Sequence, residues 1–331
     1  MTRTGRLALA FAFIGATAVP AAQAPDAAGV LAPTREALGG LSRIAAMRTL
    51  VATGRTRSSG PNGAIEDHDF ELSIALPDRV MKRSVLMAMG PTSVYRLFGF
   101  NGDTLINIID TPPALMSGGD GGNVFHIEIA GPGANGAART PEEIQAANSR
   151  LLAEARLEFA QFTLGMFASS FAGVPLTFAS GGRAESPDGM ADVIDVAGPD
   201  ELKARLFVDA TSHMPLFLSW MAKEPLEVRI DNRGDGRGEQ VQVFRGGGSG
   251  PVSGPPMNPS GPEMAARIRE AEAARRIVEY RVFYGDYRTY DGVKLPTRLT
   301  RTVDGKPRDE IVFDRIRVNP RIDAKTFSTT K

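Results

Sequence analysis

The chain has 331 residues, with 38 acidic and 38 basic side chains and a formal net charge of zero. Balanced charge gives no general attraction to nucleic acid or to an anionic membrane. The absence of cysteine excludes a disulfide scaffold, a thiolate metal site and a cysteine nucleophile. Hydrophobic residues make up 42% and charged residues 23%, values typical of a globular protein that can bury a sizeable core.

Residues 1–24 have the pattern of a secretory signal peptide. Arg3 and Arg6 precede an uncharged run at 7–19, and small residues follow it. A membrane-spanning helix needs about 20 apolar residues, so this run is too short to be a good anchor. We expect cleavage after Ala21 or Ala24, and a periplasmic or secreted location. Residues 25–331 are then expected to form one domain without a transmembrane segment.

The first predicted helix covers 33–50, where apolar side chains recur at steps of three and four. Thr34 is its candidate cap, and the Gly39-Gly40 pair weakens it.

From about residue 50 the apolar period changes to two, which indicates strands. In 66–76, for example, Phe70, Leu72 and Ile74 share one face, while acidic residues occupy the other. Strands are predicted in this way at 50–57, 66–76, 79–89, 93–100, 104–110, 124–130, 174–180, 190–197, 203–209, 215–222, 226–231, 277–289, 294–303 and 309–318.

The longest predicted helix covers 141–171. Thr140 and Glu143 form a capping box around Pro141 at the first helical position. Apolar residues surround the second half of this helix, so that half is predicted to be buried nearly all round. A flexible Gly/Pro-rich insertion follows at 246–262, and then a short helix at 263–276 with interleaved Arg and Glu, read as a solvated face or otherwise a partner-binding face.

These elements predict an α+β fold that is mainly β: a curved, open, half-barrel antiparallel sheet of about eleven strands, with helices covering its concave side. A regular alternation of strands and helices is absent, which excludes a parallel α/β sheet.

Several segments together resemble a known family. They are ALGGLSRIAAMRTLVATGRT, ELSIALPDRV, LFGFNGDTL, ARLFVDATSHMPLFLSW and the C-terminal YGDYRTYDGVKLPTRLTRTVDGKPRDEIVFDRIRVNPRIDAKTF. In these five segments, the chain resembles periplasmic outer-membrane lipoprotein-sorting proteins of the LolA/LolB-like superfamily. The resemblance implies an apolar concave face that is lidded by helices and holds acyl chains of lipids or lipoproteins. The chain differs from these carriers in its length, in the 246–262 insertion and in lacking a recognisable lid-locking arginine.

The candidate site is therefore an apolar cavity between sheet and helices. Its predicted lining comes from alternate strand positions and from the long helix: Leu72, Ile74, Phe159, Phe162, Met166, Leu206, Val208 and Leu218. Sequence alone does not separate a packed core from a lined cavity at these positions.

Motifs for other chemistry are weak. Gly131, Gly133 and Gly136 match G-x-G-x-x-G, but the helix begins after the last of them, so they do not present its N-terminus to a dinucleotide. The acidic 231–239 segment lacks the ligand spacing of a calcium loop. The three histidines are far apart, although Asp209 and His213 flank one turn and could pair there. No metal, cofactor or catalytic residue is predicted.

Two functions from different classes remain open. The first is an exported, non-enzymatic carrier or sensor of a lipid or acylated protein, with a possible envelope protein as partner. The second is a structural or interaction module of the cell envelope with a solid core. A hydrolase without a recognisable motif is a third, weaker alternative.

Overall fold

The structure is a computed structural model, and it describes residues 26–59, 65–89, 92–112, 140–186, 189–224, 226–231, 240–245 and 262–329. Several predicted features lie outside these residues: the signal peptide, the strand at 124–130, the glycine motif at 131–136, most of the acidic 231–239 segment, and the insertion up to residue 261.

The described residues contain sixteen strands: β1 Thr49–Ser59, β2 Ile65–Ala75, β3 Arg79–Met89, β4 Thr92–Asn101, β5 Thr104–Asp110, β6 Thr177–Ser186, β7 Gly189–Ala197, β8 Lys203–Asp209, β9 Pro215–Lys223, β10 Leu226–Asp231, β11 Gln240–Arg245, β12 Ile277–Gly285, β13 Arg288–Tyr290, β14 Val293–Leu295, β15 Arg298–Val303 and β16 Lys306–Val318. Twelve form one antiparallel sheet in the order β5-β4-β3-β2-β1-β16-β15-β12-β9-β8-β7-β6. The predicted fold class, a mainly β, curved, open half-barrel, is confirmed.

The long helix α3, Pro141–Phe167, links the two edges of this sheet. It lies in the chain between β5 and β6, which are the edge strands, and it contacts β4, β5 and β9. The predicted capping box is present: Thr140 Oγ1 accepts from Glu143 N at 3.2 Å, and Glu143 Oε2 accepts from Thr140 N at 2.9 Å. Every residue of 159–167 is buried, as predicted, and the helix ends where Ala168 turns left-handed.

The predicted helix at 33–50 is wrong in its bounds. The chain instead forms α1, Ala27–Ala37, and α2, Leu41–Ala46, because Gly39 and Gly40 adopt φ values of 125° and 95° between them. Asp26 caps α1, whereas Thr34 lies inside it. The Thr34 hydroxyl donates to Val30 O at 2.8 Å.

Arg35, which was not among the residues predicted to be important, connects α1 to α3. Arg35 Nε donates to Ala168 O at 3.0 Å, at the C-terminal end of α3. The contact joins residues 133 positions apart and satisfies a carbonyl that a helix end leaves without an intrahelical partner.

The last third contains more elements than the three strands predicted there. Asp286, with φ of 52°, ends β12 before β13, and Pro296, which has no N–H, separates β14 from β15. The hairpin β10–β11 includes a strand, β11, that was not predicted. The final helix, α4, covers Pro262–Ala273 rather than 263–276.

Most buried apolar side chains belong to one core between α3 and the concave sheet face. A smaller core lies on the opposite face of the sheet, where the C-terminal 3₁₀ turn Ala324–Phe327 places Phe327 against Ala75, Met81 and Ile106. This cover explains why Ser73 is buried, although it shares a face of β2 with the acidic residues predicted to be exposed. No helix among the described residues is long and apolar enough to cross a membrane.

Candidate functional site

A cavity of about 760 Å³ lies between α3, the end of α4 and the strands β3, β9, β12, β15 and β16. Its lining combines charged and apolar side chains: Lys82, Glu154, Leu157, Glu158, Gln161, Trp220, Ala222, Glu272, Arg275, Tyr280, Arg281, Arg301, Thr302, Val303 and Arg308.

Strand register builds the apolar part of this cavity. On β12, Tyr280 stands opposite Trp220 of β9 on one side and opposite Val303 of β15 on the other. Directly opposed residues of antiparallel strands share a face, so these three side chains lie together. The rings of Trp220 and Tyr280 stack with centroids 5.4 Å apart, and the Tyr280 hydroxyl donates to Lys223 O at 2.9 Å.

A charge network closes the end of the cavity beneath α3. Lys82 Nζ of β3 donates to both carboxylate oxygens of Glu158 on α3, at 2.5 and 2.7 Å. Arg301 Nη1 lies 3.5 Å from Glu158 Oε1, and Arg301 Nε donates to Asp309 at 2.5 Å. The network therefore joins α3 to β3, β15 and β16, all of which are distant from α3 in sequence.

The electrostatics of Glu158 follow from these contacts. Burial alone would raise the pKa of Glu158, but Lys82, Arg301 and Arg96 outweigh it and lower the pKa below its usual value. Glu158 is therefore a carboxylate at neutral pH, and its charge is matched by cations from the sheet. Removing one partner of such a pair leaves an uncompensated buried charge.

Two further arginines of the lining, Arg275 and Arg308, lie beside Tyr280. Arg275, just after α4, donates to both oxygens of Glu272 at 2.8 and 2.6 Å and to Glu224 O at 2.5 Å. Arg308 Nε lies 3.8 Å from Asp309 Oδ2, and its side chain is 46% exposed. Burial raises the pKa of Tyr280, while Arg308 and Arg275 act in the opposite direction, which places both charges near the phenol.

The structure brings all eight predicted site residues into one hydrophobic core. They are 0–3% exposed, and Phe159 makes edge-to-face contacts with Phe100 and Phe171 at 5.5 and 6.2 Å. None of the eight lines the cavity of 760 Å³. That they line a ligand volume stays a prediction.

The turn between β8 and β9 uses Asp209 structurally. Its carboxylate accepts from the backbone of Ser212 at 2.6 Å, the Ser212 hydroxyl at 2.7 Å and Thr211 N at 3.2 Å. These hydrogen bonds, led by the backbone bond from Ser212, lower the pKa of Asp209. The pairing with the His213 side chain that the sequence left open is not among these hydrogen bonds. Within the described ranges, no group of three His, Asp or Glu residues could hold a metal ion.

Comparisons with known proteins add the following. No family model and no curated protein sequence matches the chain. Among solved structures, it is similar to a LolA superfamily protein of Nitrosomonas europaea at 10% identity and a TM-score of 0.43, covering 92% of this chain and 98% of that one.

Two further solved structures are similar. An outer membrane lipoprotein-sorting protein domain of Vibrio parahaemolyticus has 9% identity and a TM-score of 0.36, covering 85% of this chain and 89% of that one. A DUF1329 family protein of Desulfovibrio piger has 6% identity and a TM-score of 0.37, covering 91% and 97%. The resemblance to the LolA/LolB-like superfamily that the sequence predicts is confirmed as a structural resemblance at low sequence identity.

Proposed function

We propose that the protein is an exported, non-enzymatic carrier or sensor that holds a lipid-like or acyl ligand between its curved sheet and its helices. The observation that carries this proposal is the cavity under α3. Its volume of about 760 Å³ falls within the range of roughly 300–1,000 Å³ that small-molecule sites occupy. It lies on the sheet face that also carries the main core.

The lining favours an amphiphile over a pure hydrocarbon. Leu157, Trp220, Ala222 and Val303 offer an apolar wall beside the Tyr280 ring, and charged residues line the rest of the cavity. Each methylene group of an acyl chain buried against such a wall contributes about 0.8 kcal/mol. A molecule with a chain and a polar head can satisfy both parts, whether it is a free lipid or the acyl group of a modified protein.

The location is part of the proposal. The basic start, the short apolar run and the small residues of 1–24 support export to the periplasm or beyond. N-terminal sequencing of the exported protein should recover a mature chain that begins between residues 22 and 27. Recovery of intact Met1 from a membrane fraction would contradict the export proposal.

A second function is favoured by a separate observation. The eight buried residues form a filled interface between sheet and helix, as expected of an envelope interaction module with a solid core. In that case the cavity would hold only water, and no amphiphile would copurify or bind.

Native mass spectrometry of protein purified from the periplasm should show a bound lipid-like mass, and delipidated protein should bind a fluorescent fatty-acid probe. Ala222→Trp fills the cavity without removing a core side chain, so it should abolish probe binding while the fold persists. Ala197→Trp, at an exposed strand position, is the matched control and should bind as the wild type does. Absence of both the bound mass and probe binding would favour the solid-core module.

A further inference from the structure

We propose that the ligand of this cavity carries an acidic headgroup, a carboxylate or a phosphate, that binds beside Arg308 and Arg275. The proposal rests on the carrier function and narrows its ligand class. It is carried by the distribution of charge around the cavity and by the place of the aromatic pair within it.

The lining is richer in cations than in anions. Four cationic side chains on the cavity face of the sheet or beside it, Lys82, Arg275, Arg301 and Arg308, meet three carboxylates of the lining, Glu154, Glu158 and Glu272. Arg281 is not counted, because it alternates with Tyr280 on β12 and pairs with Glu279 on the opposite face. A headgroup with a negative charge would improve this balance, whereas a positive one would worsen it.

The inner end is already satisfied by the protein itself. Glu158 receives both hydrogen bonds of Lys82 and the approach of Arg301, and Asp309 holds Arg301 at 2.5 Å. An incoming acid there would have to displace two carboxylates in a largely buried network. The headgroup site is therefore expected outside this network, beside the cations that it leaves with free donors.

At the edge of this network, Arg308 keeps most of its hydrogen-bonding capacity with respect to the residues that the structure describes. An arginine presents five N–H donors, and among those residues the carboxylate paired with Arg308 is that of Asp309, which is 3.8 Å away and already bound to Arg301. Arg275 lies beside the Tyr280 hydroxyl, since both donate to Lys223 O, and it is held by Glu272 and by Glu224 O. A planar guanidinium suits a carboxylate or a phosphate, because both accept two parallel hydrogen bonds.

The apolar surface begins directly beside these arginines. Tyr280 stacks on Trp220, and Ala222 follows Trp220 on the same face of β9. An amphiphile whose acid lies between Arg308 and Arg275 can thus place the start of its chain on the aromatic pair and continue toward Leu157 under α3.

The test compares twelve-carbon amphiphiles that differ only in the headgroup, measured by calorimetry on the delipidated mature chain below their micelle concentrations. Dodecyl phosphate and lauric acid should bind more tightly than dodecyl maltoside, and dodecyltrimethylammonium should bind most weakly. The acid preference should shrink as salt is raised, because Arg308 is partly exposed. Inorganic phosphate alone should bind at least tenfold more weakly than dodecyl phosphate.

Two variants with opposite expected signs sharpen the test. Arg308→Gln should weaken binding of dodecyl phosphate about tenfold, the order expected for one charge-assisted hydrogen bond, and leave dodecyl maltoside unchanged. Glu154→Gln removes an exposed carboxylate from the lining and should strengthen binding of the acids. Arg317→Gln, an exposed change on the same strand as Arg308, is the control and should match the wild type.

The outcomes separate this proposal from the carrier function. Equal binding of acidic and neutral amphiphiles, or an unchanged acid affinity in Arg308→Gln, overturns the headgroup assignment and leaves the carrier function standing. Binding of inorganic phosphate as tightly as dodecyl phosphate overturns the amphiphile and makes a free anion the ligand. Failure of every amphiphile to bind the wild type overturns the carrier function itself.

Discussion

Replacing Phe162 by alanine separates a packed core from a ligand-lined volume at the centre of α3. Phe162 is 3% exposed and belongs to the main core. Truncating a buried phenylalanine to alanine costs about 3–5 kcal/mol, through lost burial and the hole left behind. That is a large part of the about 5–15 kcal/mol by which native proteins are stable. We therefore expect the midpoint of urea unfolding to fall steeply.

Urea unfolding can be followed by the fluorescence of Trp220, since the chain has one tryptophan. The matched control is Ile144→Ala on the same helix, where the side chain is 48% exposed and the loss should be about 0.5 kcal/mol. At urea concentrations where Phe162→Ala is folded, its affinity for the fatty-acid probe should equal that of the wild type. A loss below about 1 kcal/mol, together with weaker probe binding, would refute this reasoning and place Phe162 in the ligand volume.

Three further substitutions test how α3 is packed against the sheet and against α1. Gly165→Ala should destabilise the fold by about 1–3 kcal/mol in urea unfolding, because a Cβ at Gly165 would clash with the Tyr284 ring; a near-neutral change would show that the helix can move away. Burial raises the pKa of Tyr284, whose hydroxyl donates to Gln161 O at 2.7 Å, so the folded state binds this proton more tightly than the unfolded state. Stability should be fully present below pH about 10 and should fall by about 1.4 kcal/mol per pH unit above it through this group; Tyr284→Phe should lose that slope, and an unchanged slope would assign it elsewhere. Arg35→Met keeps the apolar stem but loses the bond to Ala168 O, and should raise hydrogen exchange at the end of α3 while the sheet keeps its protection; unchanged exchange would show that the bond does not hold the helix end.

Local patterns predicted much of the fold. The bounds of β3, β5, β8 and β10 match the structure residue for residue, since alternation and turn signals are both strong there. The capping box at Thr140 placed the start of α3 for the same reason: its signal is contained within four adjacent residues.

The cavity could not be predicted in this way because it depends on register between distant strands. Tyr280 meets Trp220 only after β12 has paired with β9, across the segment that contains β10, β11 and α4. Glu158, taken alone, belongs to a helix with many charged residues and resembles a solvated position. Its burial becomes visible only when Lys82 is placed beneath it.

The pairing of the first strand with the last has a kinetic consequence. β1 and β16 join two runs of strands, and each run is built mostly of neighbours in sequence; Leu50 faces Val318 across the junction. Contacts between residues so distant in sequence form late and slowly, because the entropy of closing a long loop is lost before the contacts can stabilise the chain. If the chain is cleaved before residue 306, or if β16 has not yet emerged during synthesis, β1 and β15 lack their common partner. They are then exposed as unpaired edges in the middle of the sheet. Edges of that kind pair readily with other chains, so the stage of folding before β16 is in place should be the one at which this protein is most prone to aggregate.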